Sequence, residues 1–366
     1  MTMPAAVPIP PELTRRYGGS AEGRAWLASL PRLIDRCLEQ WRLVPDPARG
    51  ALPWHGHGAV VVPVSGRAAG SFAGNRERHA GTAVLKLAFS HPEALAERHA
   101  LELWGGLGAV QVFEADQDAG ALLLERLDGG SSLQDVPLDA AAHVWGGLVR
   151  QLSIPPDSRP QWSEFGQMAA RAEQWSDELP ESWELLGRPF PRWLLEAALE
   201  VCQTRGAVGR RSGTDVLVHT DLHFLNVLAR PDVPAGPGPG GFDGAEFTAA
   251  DFKAIDPRPM LGEAEFSVAP LLWNRLAELP RTRPAEALRA RCLDFSAAAG
   301  LDGETARQWA LARGVENALW YAANRNHDAD LARSLWVAST LAGNTLPGLP
   351  APQDLPAPGE GAKRSG

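Results

Sequence analysis

Cysteine is scarce in this chain. Only three occur in 366 residues, Cys37, Cys202 and Cys292. Their number is odd, they lie far apart, and there is no CxxC or cysteine–histidine cluster. That pattern argues against a disulfide framework and against a zinc site, and it suits a reducing compartment. An excess of positive charge is also missing. Lys and Arg total 35 against 44 Asp and Glu, a formal net charge of −9. A nucleic-acid binder would need a basic face for phosphates, so that class is disfavoured. The acidic balance favours encounter with cationic ligands. No apolar run approaches the ~18 residues needed to cross a bilayer. The opening MTMPAAVPIPPELTRR lacks the basic start and apolar core of a signal peptide. These absences predict a cytoplasmic protein with no membrane or nucleic-acid partner, and they leave the oligomeric state open. There is no internal repeat.

What is present is ordinary globular composition, 45% hydrophobic and 22% charged, in a chain too long for one minimal domain. From Ser20 to Leu43 apolar residues recur at helical spacing, and Pro31 after Ser29 is expected to restart the helix. Strands follow at Ala59–Val64 and at TAVLKLAF (Thr82–Phe89), then a capped helix over Ser90–Gly106, then two strands in AVQVFEAD and ALLLERLDGG. The remainder reads as helices at Leu138–Leu152, Trp162–Trp175, Trp193–Thr204, Ala264–Glu278, Ala285–Ala299, Glu304–Asn324 and Ala329–Thr340. Short strands interrupt them at Val216 onward and at Asp251–Asp256. The expected fold class is α+β: a small β-rich N-terminal lobe over residues 1–127, a larger helical lobe over 128–345, and a disordered tail from 346 to 366. A cleft between lobes is the expected ligand site.

The chemistry concentrates in VLVHTDLHFLNVLARP (Val216–Pro231). Asp221 and Asn226 stand five apart on a loop leaving a strand. Phosphoryl transfer needs a carboxylate to orient the attacking hydroxyl and an oxygen ligand for magnesium, and this spacing supplies both. Asp256 in AIDP closes the next strand and offers a second ligand. His219 and His223 fit backbone-bonded buried histidines better than metal ligands. Upstream, Lys86 sits inside an otherwise apolar strand and Glu97 in the helix after it, an order that suits a phosphate-binding lysine held by a glutamate. The backbone at Glu125 and Leu127 could meet an adenine. Each feature has a plain structural reading on its own: a snorkelling lysine, a solvated helix face, a loop rich in Asp and Asn. Their common order carries the argument.

These residues resemble the aminoglycoside and hydroxyurea phosphotransferases, in particular the streptomycin 6-phosphotransferase-like branch. The matching stretches run from about Tyr17 to Trp336: GRAWLASLP, AVLKL, the Trp104-Gly105-Gly106 turn, LLLERLDG, VLVHTDLHFLNVL, AIDPRPMLGE, APLLWN and ENALW. The resemblance implies a protein-kinase-like two-lobed fold and ATP-dependent, magnesium-dependent transfer to a hydroxyl. It implies that Lys86 contacts the nucleotide phosphates and pairs with Glu97, that Asp221 is the catalytic carboxylate, and that Asn226 and Asp256 hold the metal. A cationic aminoglycoside would call for acidic acceptor residues, with Glu263, Glu265, Glu316 and Trp320 as candidates; hydroxyurea would need none. The chain departs from the family pattern at Thr220, where Gly is frequent, and at Ser267, where a carboxylate that anchors the catalytic loop is usual. Asp46–Gly58 is the candidate phosphate-covering loop, and 65–81 and 232–250 read as insertions. A kinase-fold binding protein without turnover is the alternative from another class.

Overall fold

The computed structural model describes residues 7–46, 54–55, 58–66, 81–89, 92–206, 215–233 and 246–358. Most of the candidate phosphate-covering loop and most of both apparent insertions lie outside these residues. The chain divides into two compact units, Met1–Asp128 and Gly129–Gly366.

The first unit opens with α1 (Pro11–Tyr17) and α2 (Ala21–Gln40). Ser20 caps α2 by accepting from the Gly23 amide at 2.9 Å. Pro31 does not restart the helix; α2 runs through it. Leu30, Ile34 and Cys37 are buried in one core and hold both halves in line, so packing outweighs the local proline penalty. The strands are β1 (Leu43–Pro45), β2 (Trp54–His55), β3 (Ala59–Gly66), β4 (Thr82–Ala88), β5 (Val112–Asp116) and β6 (Ala121–Glu125), with α3 (Pro92–Trp104) between β4 and β5. They form one six-stranded sheet in the order β1-β3-β4-β6-β5, with β2 also on β3. The central strands β3, β4 and β6 are buried at most positions, on both faces of the sheet. Val60, Val62, Leu85, Leu87 and Leu123 pack with Leu13, Leu30 and Ile34 of the two leading helices.

In the second unit, β7 (Asp128–Ser132) leads to α4 (Leu138–Leu152). Then come β8 (Gly166–Gln167), α5 (Met168–Leu185), α6 (Arg192–Arg205), β9 (Val216–His219), β10 (Val227–Ala229), β11 (Phe252–Ala254) and β12 (Pro259–Gly262). The helices α7 (Ala269–Leu272), α8 (Pro284–Ala299), α9 (Gly303–Ala323) and α10 (Asp328–Leu341) follow. α10 packs on α9, α8 on α4, and α6 on both α5 and α9. Two three-stranded sheets stand among the helices, β11-β10-β7 and β8-β12-β9.

Three expectations need correction. Ala264–Glu278 is not one helix but a 3-10 turn at Ala264–Val268, the single turn α7, and a further 3-10 turn at Leu276–Glu278. Trp162 belongs to a separate 3-10 turn, and α5 begins only at Met168. The tail is not disordered from residue 346. Gln353 donates to the carbonyls of Leu279 and Pro280, Arg333 donates to the Pro356 carbonyl, and Pro352 is buried. These contacts tie the chain as far as Pro356 to the helical unit, and composition alone cannot reveal them.

Candidate active site

Two buried charges meet in the first unit. Lys86 stands mid-strand in β4, across from Val61 of β3 and Leu122 of β6. Its Nζ donates to Oε1 of Glu97 on α3 at 2.6 Å, and the two side chains are 8% and 7% exposed. That burial rules out the snorkelling lysine and the solvated glutamate. Two charges taken this far out of water are tolerable only in close contact. β6 ends at Glu125, whose amide donates to the Gln111 carbonyl at 2.8 Å and whose carboxylate accepts from the Gln111 amide at 3.2 Å. The Glu125 N–H is therefore committed within the sheet edge, while Leu127 lies two residues past the strand. Between them Arg126 is buried and pairs with Asp46 at 2.6 Å.

The catalytic-loop candidate lies wholly in the second unit. β9 pairs antiparallel with β12 and ends with His219 opposite Pro259. The His219 Nε2 donates to the Ile255 carbonyl at 2.9 Å, while its Nδ1 accepts from the Asp221 amide at 3.4 Å. This pattern fits a neutral imidazole, and burial pushes its pKa below the ordinary histidine range. His219 thus braces the loop, as expected, and is no metal ligand here. Apolar residues fix the loop from below. Trp145 donates to the Leu222 carbonyl at 3.1 Å, and Phe224 is buried edge-on to Phe295. The Asn226 Nδ2 closes the loop by donating to the Asp221 carbonyl at 2.9 Å.

The hairpin of β10 and β11 then brings the remaining donor alongside. Val227 pairs with Ala254, and the Ile255 amide donates to the Asn226 carbonyl at 2.9 Å. Asn226 and Asp256 consequently stand at the same end of the hairpin. Asp256 has φ +53°, a left-handed conformation that is strained for a residue with a side chain. Asp221 is half-buried between two arginines. Arg258 Nε lies 3.7 Å from its Oδ2, and Arg313 Nη2 lies 3.9 Å from its Oδ1.

Neither arginine was singled out in the sequence. Arg258 had a signal, its place two residues after Asp256 in AIDPRP. Arg313 on α9 had little beyond being a charge amid apolar residues in ALARGV. Its guanidinium lies over the rings of Phe266 and Trp273, 5.0 and 5.2 Å from their centroids, and donates to the Thr220 carbonyl. The Thr220 hydroxyl in turn donates to the Arg258 carbonyl at 2.6 Å. Ser267, at the position where a loop-anchoring carboxylate is usual, makes no hydrogen bond to the loop among the described residues.

The acidic acceptor candidates divide. Glu263 is buried, with one oxygen 3.2 Å from Arg205 and the other accepting from Trp309 Nε1 at 2.8 Å. It joins β12 to α6 and α9 and is not available to a substrate. Glu265 accepts from the Asp302 amide at 3.2 Å, next to the start of α9. Glu316, one turn after Arg313 on α9, keeps 30% of its side chain exposed, 3.7 Å from Arg171 of α5. Burial pushes its carboxyl above the usual range, opposed by Arg313 and Arg171. Trp320, a turn further on, is 53% exposed and packs edge-on to Tyr321 and His327. Of the four, Glu316 and Trp320 share a helix with the arginine that touches the loop.

A buried lysine–glutamate pair beside a sheet, with an Asp–Asn loop and a following Asp in a helical unit, defines a small-molecule kinase of protein-kinase-like fold. Solved structures agree on the fold. Choline kinase LicA from Streptococcus pneumoniae superposes with a TM-score of 0.50 at 12% identity, over 86% of this chain and 99% of that one. A choline/ethanolamine kinase family protein from Mesorhizobium loti gives 0.50 at 13%, over 85% and 94%. Residues 40–324 match the family described as aminoglycoside/hydroxyurea antibiotic resistance kinase, and the chain belongs to that family. It is 32% identical to a streptomycin 6-kinase of Streptomyces griseus over 85% of this chain and 90% of the relative. It is 33% identical to a hydroxyurea phosphotransferase of Kitasatospora aureofaciens over 86% and 81%. No described helix is long and apolar enough to cross a membrane.

Proposed function

We propose that the chain transfers the γ-phosphoryl group of ATP to a hydroxyl of a streptomycin-type aminoglycoside, which would confer resistance to that drug. The observation that carries the transfer chemistry is the closed loop from His219 to Asn226, with Asp221 half-exposed and Asp256 held at its side. Asp221 orients the acceptor hydroxyl and takes its proton late in the reaction. The acceptor oxygen forms its bond to the γ-phosphorus as the bond to the β-phosphate oxygen breaks, and ADP leaves. In the first unit Lys86, fixed by Glu97, holds nucleotide phosphates, and backbone at Leu127 contacts the adenine.

Magnesium fits the donors present. The Asn226 amide nitrogen is engaged with the Asp221 carbonyl, so its oxygen is the atom left for a cation, and Asp256 adds a carboxylate. Two protein oxygens, with phosphates and water completing the shell, are what magnesium commonly takes. When bound it would neutralise charge on the transferring phosphates. An ATP-dependent reaction of this kind belongs in the cytoplasm.

For the acceptor, similarity to streptomycin 6-kinases supports a cationic aminoglycoside, with Glu316 receiving a cationic group and Trp320 offering an aromatic face. Hydroxyurea is the second reading, favoured by the 33% identity to a hydroxyurea phosphotransferase and by the loss of Glu263 from the acidic set. Mass spectrometry of reactions with ATP and magnesium separates the two. A phosphate adduct on streptomycin and none on hydroxyurea is expected. An adduct on hydroxyurea alone would replace the first reading with the second. No adduct on either would reject both.

A further inference from the structure

We propose that Arg313 is the residue that positions the catalytic loop, in the role that Ser267 cannot fill. The inference rests on the reading of Asp221 as the catalytic carboxylate. Its geometric basis is independent of any acceptor. The guanidinium is planar and carries five donors, so one face can lie against a ring while an edge donates. Arg313 does both. Phe266 and Trp273 fix its plane, one Nη donates to the Thr220 carbonyl, and the other lies 3.9 Å from Asp221. Phe266 belongs to the same 3-10 turn as Ser267.

The residue before the catalytic carboxylate is thus held from two sides. Its carbonyl accepts from Arg313, and its hydroxyl donates to the Arg258 carbonyl just past Asp256, its amide also donating to the Arg258 carbonyl at 3.4 Å. A glycine at 220 could not make the hydroxyl bond. The loop is tied to α9 through Arg313 and to the Asp256 segment through Thr220. Both ties bear on the backbone that aims Asp221, and an error of about 1 Å in such aim can cost ~100-fold in rate.

Arg313→Met keeps an apolar stem between the rings and removes the charge and donors. Arg313→Lys keeps the charge but not the planar fork. Hydrogen exchange reads the loop without any substrate. The amides of Leu222, His223 and Asn226 are hydrogen-bonded within it, and in Arg313→Met they are expected to exchange ~10-fold faster or more while α9 amides keep their protection. With phosphate transfer as the second readout, kcat is expected to fall ~10–100-fold with KM for ATP within ~3-fold of wild type, and Arg313→Lys to recover part of the loss.

Unchanged exchange in the loop would overturn the proposal, and so would faster exchange with full kcat. Uniformly faster exchange through α9 in both variants would also overturn it, because Arg313 would then be a core support only. If the wild-type protein transfers phosphate to no acceptor, the proposed function fails, while loop exchange still decides whether Arg313 positions it.

Discussion

Replacing Glu97 by Gln removes the carboxylate 2.6 Å from the Lys86 ammonium, at a place where only 8% of the lysine side chain is exposed. Breaking one side of a buried pair typically costs ~3–5 kcal/mol, because the remaining charge has lost its solvent and its counter-charge. For a domain-sized unit this corresponds to roughly 10–20 °C in melting temperature. Glu97→Gln should therefore lower the first thermal transition by that amount, read by differential scanning calorimetry. The double variant Lys86→Met/Glu97→Leu replaces both charges with apolar groups of similar size. It should recover most of the stability, since such replacements are often neutral or stabilising by ~1–4 kcal/mol. It should not recover phosphate transfer, because the nucleotide then lacks its lysine. A Glu97→Gln protein melting within about 2 °C of wild type would refute the burial argument. A double variant with wild-type turnover would remove Lys86 from the nucleotide site.

Three further outcomes follow from single features. Gly146→Ala in α4 should destabilise by more than ~1 kcal/mol although alanine is the better helix former, because a Cβ there would stand 2.4 Å from the Ala298 carbonyl oxygen at the end of α8; chemical denaturation checks it. Trp309→Phe deletes the 2.8 Å hydrogen bond to the buried Glu263 carboxylate and should cost ~1.5–3 kcal/mol by the same assay, with KM for the acceptor unchanged. Burial depresses the pKa of His219 and of His223 below the ordinary histidine value of about 6.5, so between that value and their folded pKa values the unfolded chain binds more protons than the folded one. Stability is then full above pH 6.5 and falls as the pH drops through this window, by about 1.4 kcal/mol per pH unit for each imidazole. A flat urea midpoint from pH 7 to pH 5 would contradict it.

The parts of the site that were legible in the sequence are those whose signal is local. A lysine inside an apolar strand, and Asp and Asn at fixed spacing on a loop leaving a strand, are short-range patterns, and the structure pairs Lys86 with Glu97 and sets Asn226 beside Asp256. The chain also signalled an α+β fold, because the period of its hydrophobic pattern changes after the first third. What the sequence hid depends on tertiary contact. Glu263 and Glu265 read as acidic residues for a cationic acceptor, yet Arg205, Trp309 and the Asp302 amide claim them. Arg313 reaches Thr220 across 93 residues, and nothing in its own helix marks it. Pro31 would break an isolated helix, but shared burial on both sides overrides it.

The central claim is that Asp221 orients the acceptor for phosphoryl transfer and does not hold the nucleotide. The measurement that tests it most directly compares Asp221→Asn with wild type by turnover and by the affinity for magnesium–ATP. The account predicts a fall in kcat of roughly 10²–10⁴, with nucleotide affinity kept within a few-fold. Undiminished turnover in Asp221→Asn would contradict it.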